Sequence, residues 1–253
     1  MTGAEHDVRM PLTAHLEELR TRLIRMLIAA GVGLLVCYGF AEEIVAFLLA
    51  PLTRIESATV IGTGVTDAFF TKLKVSFVAG LFVAGPVIFH QGWAFVAPGL
   101  YQTEKRVALP FSIAASLFFV GGAAFCYVVV FPVAFRFFLD EFGTIGISPE
   151  IRVSEYLTFT SRMLLAFGVT FELPVATFFL ARIGALTHRT MIAWVRYAVV
   201  AIFVVAAVLT PGPDVASQLL MAGPLLLLYA LSIAIAWLVG KPAADTTPEP
   251  AAE

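Results

Sequence analysis

Three carboxylates stand beside or inside long apolar runs, where the chemistry of a charge is most constrained. The first is Glu18, in Pro11-Leu-Thr-Ala-His-Leu-Glu-Glu-Leu-Arg-Thr-Arg-Leu23. Leu12, Leu16, Leu19 and Leu23 follow the i, i+4, i+7, i+11 stripe of one helical face, an amphipathic lead-in to the run that follows. At about 100° per residue Glu18 points about 120° from that stripe, beside Arg22 and Arg25, with Arg20 nearer the other edge. Its plainest role is an i,i+4 pair with Arg22, worth about 0.2–0.5 kcal/mol on a solvated helix. The second is Glu104, in Trp93-Ala-Phe-Val-Ala-Pro-Gly-Leu-Tyr-Gln-Thr-Glu-Lys-Arg106. Pro98-Gly99 ends one helix and Glu104 enters the next, where the helix dipole favours a carboxylate. Phe95, by itself, reads as packing.

Glu172 is the third, deep in Phe167-Gly-Val-Thr-Phe-Glu-Leu-Pro174, with no basic residue for several turns on either side. An intramembrane carboxylate is costly and faces a cavity, a partner or an internal hydrogen bond. Pro174 lacks an amide donor and crowds the Thr170 carbonyl, so a kink or water access is expected there. Asp214 directly precedes the apolar run that holds Gln218 and reads as a helix N-cap. His6, His15, His90 and His188 are scattered, and Cys37 and Cys126 each lie in an apolar run without metal-ligand or paired spacing. No Gly-rich phosphate loop, H-E-x-x-H or nucleophile elbow is present, so neither an enzyme site, a metal nor a cofactor is indicated.

The elements that must position these groups follow from composition. The 253 residues are 60% hydrophobic and 13% charged, with mean hydropathy +0.92, whereas soluble domains run roughly 45–50% apolar and about 25% charged. An all-α membrane protein is expected, with apolar runs at about 23–41, 73–97, 107–136, 156–182, 192–209 and 215–239. Each approaches the ~20 residues that a transmembrane helix needs. The fifth and sixth form a short pair. No cleavage site is evident ahead of the first run, which is expected to persist as a span. A net charge of -2 argues against a nucleic-acid partner.

Six spans put both termini on one side. Arg9, Arg20, Arg22, Arg25, Lys105, Arg106, Arg182, Arg189, Arg196 and Lys241 then share that side, against Arg54, Lys72, Lys74, Arg136, Arg152 and Arg162. The positive-inside rule makes the first side cytoplasmic. The connections 42–72 and 137–155 read as irregular outer caps. Residues 1–240 form one integral membrane domain, and the Pro-rich stretch 241–253 is a disordered cytoplasmic tail.

Taken together these segments resemble the TatC family, the polytopic component of the twin-arginine protein translocase. The residues that carry the resemblance are His15-Leu-x-Glu18-Leu-Arg20-x-Arg22, Ala50-Pro51-Leu52, Trp93-x-Phe95-x-x-Pro98-Gly99-Leu100 and Glu104-x-Arg106. Phe131-Pro132, Gly168-x-x-Phe171-Glu172-x-Pro174, Arg196 beside Tyr197, Thr210-Pro211 with Asp214, and Ser217-Gln218 continue it. The resemblance implies a receptor for twin-arginine signal peptides of folded precursors, in the cytoplasmic (inner) membrane of a prokaryote. It implies recognition by Glu18 and Glu104, supported by Phe95 and Arg20. Two arginines call for carboxylates that accept their planar donors as a pair, a geometry lysine does not reproduce. Glu172 and Gln218 would meet single-span TatA- and TatB-type partners in a multimeric complex, and Pro51 and Asp214 would belong to the outer rim. Transport would draw on the proton-motive force, since the chain has no nucleotide site. The rival reading is a proton-coupled small-molecule transporter using Glu172. It requires paired polar groups on other spans, and the third, fifth and sixth runs offer little beyond Ser, Thr, Tyr and Gln218.

Overall fold

The computed structural model describes residues 12–53, 59–96, 108–144, 146, 149–210 and 215–240. The leucine-striped lead-in and the first apolar run form one continuous helix, α1 (Leu12–Gly39), with no proline to interrupt it. The chain turns at Phe40 and enters α2 (Ala41–Thr53), whose first turn carries Glu42 and Glu43 at the end favoured by the helix dipole. Strand β1 (Thr59–Ile61) leads to α3 (Asp67–Val96). Next come α4 (Ala108–Phe125), a π-helical turn (Cys126–Val130) and α5 (Phe131–Thr144), which run on without a break. At that turn the Phe131 N–H donates to the Cys126 carbonyl, and Pro132 follows with no N–H of its own to give. Strand β2 (Glu150–Arg152) pairs in parallel with β1, Thr59 opposite Glu150 and Ile61 opposite Arg152. It opens directly into α6 (Val153–Arg182).

Helix α6 stays helical through Pro174 and ends in a glycine cap. Gly184 has φ +80°, and the Ala185 and Gly184 amides donate back to the Leu180 and Ala181 carbonyls at 2.9 and 3.1 Å. The hydroxyl of Thr187 accepts the Thr190 amide at 3.2 Å and starts α7 (His188–Ala193). Helices α8 (Val195–Leu209) and α9 (Val215–Val239) follow.

Among the described residues five helices are long and apolar enough to cross a membrane: His15–Gly39, Asp67–Phe95, Leu109–Thr144, Val153–Arg182 and Val215–Val239. The run expected at 192–209 breaks at Trp194, and α8 keeps 15 residues, roughly 22 Å of helix against a hydrocarbon core of about 30 Å. The sixth run, expected to be short as well, is corrected, since α9 has 25 residues. The irregular outer caps expected from 42–72 and 137–155 are corrected: the first holds α2 and β1, and the second holds the end of α5 and β2. Both strands are three residues long and find each other only through the fold.

The chain divides into two compact units, Met1–Val169 and Thr170–Glu253. In the first, α1 and α3 cross at two glycines. A Cβ on Gly33 would lie 2.4 Å from the Gly80 carbonyl oxygen, and one on Gly80 would lie 2.5 Å from the Leu34 nitrogen. Only glycine allows two helix backbones to approach so closely. Gly168 serves the same end on α6, where a Cβ would meet the Phe119 ring at 2.8 Å. Phe119 stacks on Phe82 and meets Phe89 edge-on. In the second unit Ala181, Met191 and Ala236 form a core with Leu186, Tyr229 and Ile233. The Tyr229 hydroxyl donates to the Met191 carbonyl at 2.8 Å.

Candidate functional site

Glu18 sits near the start of α1 and is held by Arg22, one turn further along. The Nε and Nη2 groups of Arg22 both donate to Glu18 Oε1, the Nε bond at 3.0 Å. The i,i+4 pair read from the sequence is therefore formed. It is drawn partly out of solvent, with the Arg22 and Glu18 side chains 17% and 24% exposed. Because both donors use Oε1, Oε2 receives no hydrogen bond from the described residues. Glu17, Glu18, Thr21, Arg22 and Arg25 form an open polar surface along α1. Arg20 is exposed on the same helix and makes no ion pair among the described residues.

One turn before Glu18, His15 stacks on Phe95 at the far end of α3, with ring centroids 4.6 Å apart and planes at 25°. This contact brings two of the sequence-derived site residues, Glu18 and Phe95, to the same end of the α1–α3 pair. His15 precedes Glu18 by three residues and shares its side of the helix, but nothing local to either segment marks Phe95 as its partner ring. Glu104 lies outside the described residues, as does Asp214.

At the other end of α3, polar contacts accumulate that sequence reasoning missed. The Asp67 carboxylate accepts the Gly64 amide at 2.9 Å and the Ser154 hydroxyl at 3.4 Å, tying α3 to the start of α6. Lys72 donates to Glu42 at 2.6 Å, and Lys74 donates to the Thr158 hydroxyl at 2.8 Å. The Lys72 ammonium holds the Glu42 carboxyl below its ordinary range, first through the hydrogen bond and then through its charge. Pro51 lies inside α2, so the Phe47 carbonyl four residues earlier has no amide to accept. The Tyr127 hydroxyl supplies that bond at 2.7 Å, and Tyr156 donates to the adjacent Leu48 carbonyl at 2.8 Å.

In the second unit Glu172 is partly exposed, but its Oε1 is buried and receives no hydrogen bond from the described residues. A carboxylate oxygen in that state has unused capacity for a donor or a proton. Gln218 is already engaged: its Nε2 donates to the Phe203 carbonyl at 2.9 Å and clips α9 to α8.

A family model described as Sec-independent protein translocase protein (TatC) matches residues 14–224. The chain is 45% identical over 253 residues to the Sec-independent protein translocase protein TatC of Desulforapulum autotrophicum, covering 99% of this chain and 92% of that one. It is 41% identical over 230 residues to the protein of the same name from Carboxydothermus hydrogenoformans, covering 91% and 94%. Among solved structures it is similar to the crystal structure of the twin-arginine translocase receptor TatC. The TM-score is 0.81 at 36% identity, over 89% of this chain and 99% of that one. The structure of that receptor in DDM matches with TM-score 0.81 over 90% and 100%.

Proposed function

The chain belongs to the TatC family of Sec-independent protein translocase proteins, and from that premise we propose that it binds twin-arginine signal peptides of folded precursors at its Glu18 end. It is a membrane component of a protein translocase and not an enzyme. The observation that carries the binding reading is a guanidinium already seated on Glu18: Arg22 occupies Oε1 through two donors and leaves Oε2 open. An arriving arginine takes the open oxygen or displaces Arg22, and Glu104 receives the second arginine. Phe95 supplies an apolar wall to the peptide, and Arg20 supports its binding from the same end of α1. Lysine in place of either peptide arginine loses the paired donors and binds weakly.

Around this site the reading is of six spans with both termini cytoplasmic, in the inner membrane of a prokaryote, by the distribution of basic residues. Residues 1–240 form the membrane domain and 241–253 a disordered tail. Glu172 and Gln218 face TatA- and TatB-type single-span partners in a multimeric complex powered by the proton-motive force. Pro51 and Asp214 shape the outer rim. Family membership does not favour the proton-coupled small-molecule transporter. The test is photocrosslinking from a bound twin-arginine signal peptide to residues 10–25 and 93–106. Glu18→Ala and Glu104→Ala should each weaken the crosslink at normal membrane levels of the protein. Undiminished crosslinking in both variants overturns the clamp.

A further inference from the structure

Two cations near the β-pair end of the first unit have no ion-pair partner among the described residues. The N-termini of α3 and α6 lie side by side there, joined through Asp67 and Ser154, so the two helices descend from one level. Lys74 is exposed and donates to the Thr158 hydroxyl. Arg162 is one turn beyond Thr158 on the same face of α6 and is also exposed. Neither forms an ion pair among the described residues, while three of the nearby described acids are engaged by other groups. Glu42 binds Lys72, Glu155 binds Arg152 at 3.1 Å, and the Asp67 carboxylate accepts Gly64 and Ser154. Glu43 and Glu150, both exposed at this end, form no ion pair with either cation.

Depth decides what these cations meet. Helices α3 and α6 have 30 residues each, about 45 Å of helix against about 30 Å of hydrocarbon, so roughly 7 Å projects at each end if centred. Arg162 is about 14 Å and Lys74 about 10 Å along their helices, a few ångströms inside the hydrocarbon edge. Helical side chains lean toward the N-terminus, here toward the β-pair, and long basic chains carry their heads to the interface. Both charged heads therefore converge at the level of Thr158, where headgroup phosphates begin. Below them the surface is apolar, with Phe77 46% and Val169 62% exposed.

We propose that Lys74 and Arg162 hold the phosphate of an anionic phospholipid, whose acyl chains run down the exposed α3–α6 face past Phe77. An ammonium and a guanidinium offer donors to two phosphate oxygens at once, and the long arms reach outward to the depth at which lipid supplies that group. The proposal rests on α3 and α6 crossing a bilayer and is independent of signal-peptide recognition.

The test is native mass spectrometry of the full chain titrated with phosphatidylglycerol or with phosphatidylcholine of the same acyl chains. The wild type should retain phosphatidylglycerol preferentially. Lys74→Gln and Arg162→Gln should each reduce that preference about fivefold, and the double variant should remove this component. Lys74→Arg with Arg162→Lys, which keeps both charges, should bind as the wild type does. Equal retention of the two lipids by the wild type, or an unchanged preference in the double glutamine variant, overturns the proposal. Should the glutamine variants fail to accumulate, a photoreactive residue at Phe77 in native membranes gives the answer: crosslinks to lipid support the site, and crosslinks to a polypeptide overturn it.

Discussion

At its Asp67 end α3 is tied to its neighbours through Asp67 with Ser154, Lys72 with Glu42 and Lys74 with Thr158. At its Val96 end the described contacts are of another kind, a ring stack between Phe95 and His15 beside a carboxylate held by its own helix neighbour. The first end spends its polar groups on holding helices together. The second keeps acceptor capacity open, with Glu18 Oε2 free of hydrogen bonds from the described residues. One helix thus joins an architectural end to an end with open acceptor capacity, and the glycine crossing with α1 lies between them.

That crossing is the easiest part to break. Gly33→Leu forces apart backbones that already sit at contact distance and should destabilise the protein by about 3 kcal/mol, at the upper range of overpacking costs. Thermal unfolding in detergent should show the loss, and signal-peptide crosslinking at the Glu18 end should fall with it. Glu18→Ala should separate the two ends, lowering peptide crosslinking about tenfold, as loss of a charge-assisted pair worth roughly 1.5 kcal/mol implies, while leaving the melting temperature within a few degrees. Tyr127→Phe should do the reverse: the Phe47 carbonyl loses its donor, stability falls by about 1 kcal/mol, and crosslinking at Glu18 is unchanged. The smallest effect is a pH dependence at the architectural end. The Glu42 carboxyl is held below its ordinary value by Lys72, so its stabilising contribution is complete above the unfolded carboxylate range and is lost as pH falls through the depressed folded value. Acid unfolding curves of the wild type and Glu42→Gln should therefore converge at low pH and separate slightly toward neutrality.

The helices that the sequence reading placed well are those whose signal is local. The leucine stripe of α1 and the apolar runs of α3, α6 and α9 need only the periodicity and length of their own residues. Helix α2 escaped because its 13 residues carry an internal proline, and the donors that satisfy its carbonyls come from 80 and 108 residues away. The β1–β2 pair escaped for the same reason, since three-residue strands carry almost no pattern. At the site, the Glu18–Arg22 pair was legible because it lies within one turn. The His15–Phe95 stack joins two helices and was not. The break at Trp194, after which α8 keeps only 15 residues, was foreseen only as a short fifth run.

The π-helical turn at Cys126–Val130 holds a residue more than an α-helical turn needs. Buried positions before it and after it, among them Ala115, Phe119, Cys126, Val130 and Ala134, stay on one side of a long rod because the wider turn absorbs that spare residue. The exposed Val128 and Val129 are thus a joint where the gene can lose a codon and keep both halves in phase. The same deletion anywhere else in α4 or α5 would swing the rest of the rod by about 100°. In the lineage of such a chain, single-codon length variation should be tolerated at this joint and purged from the helix on either side.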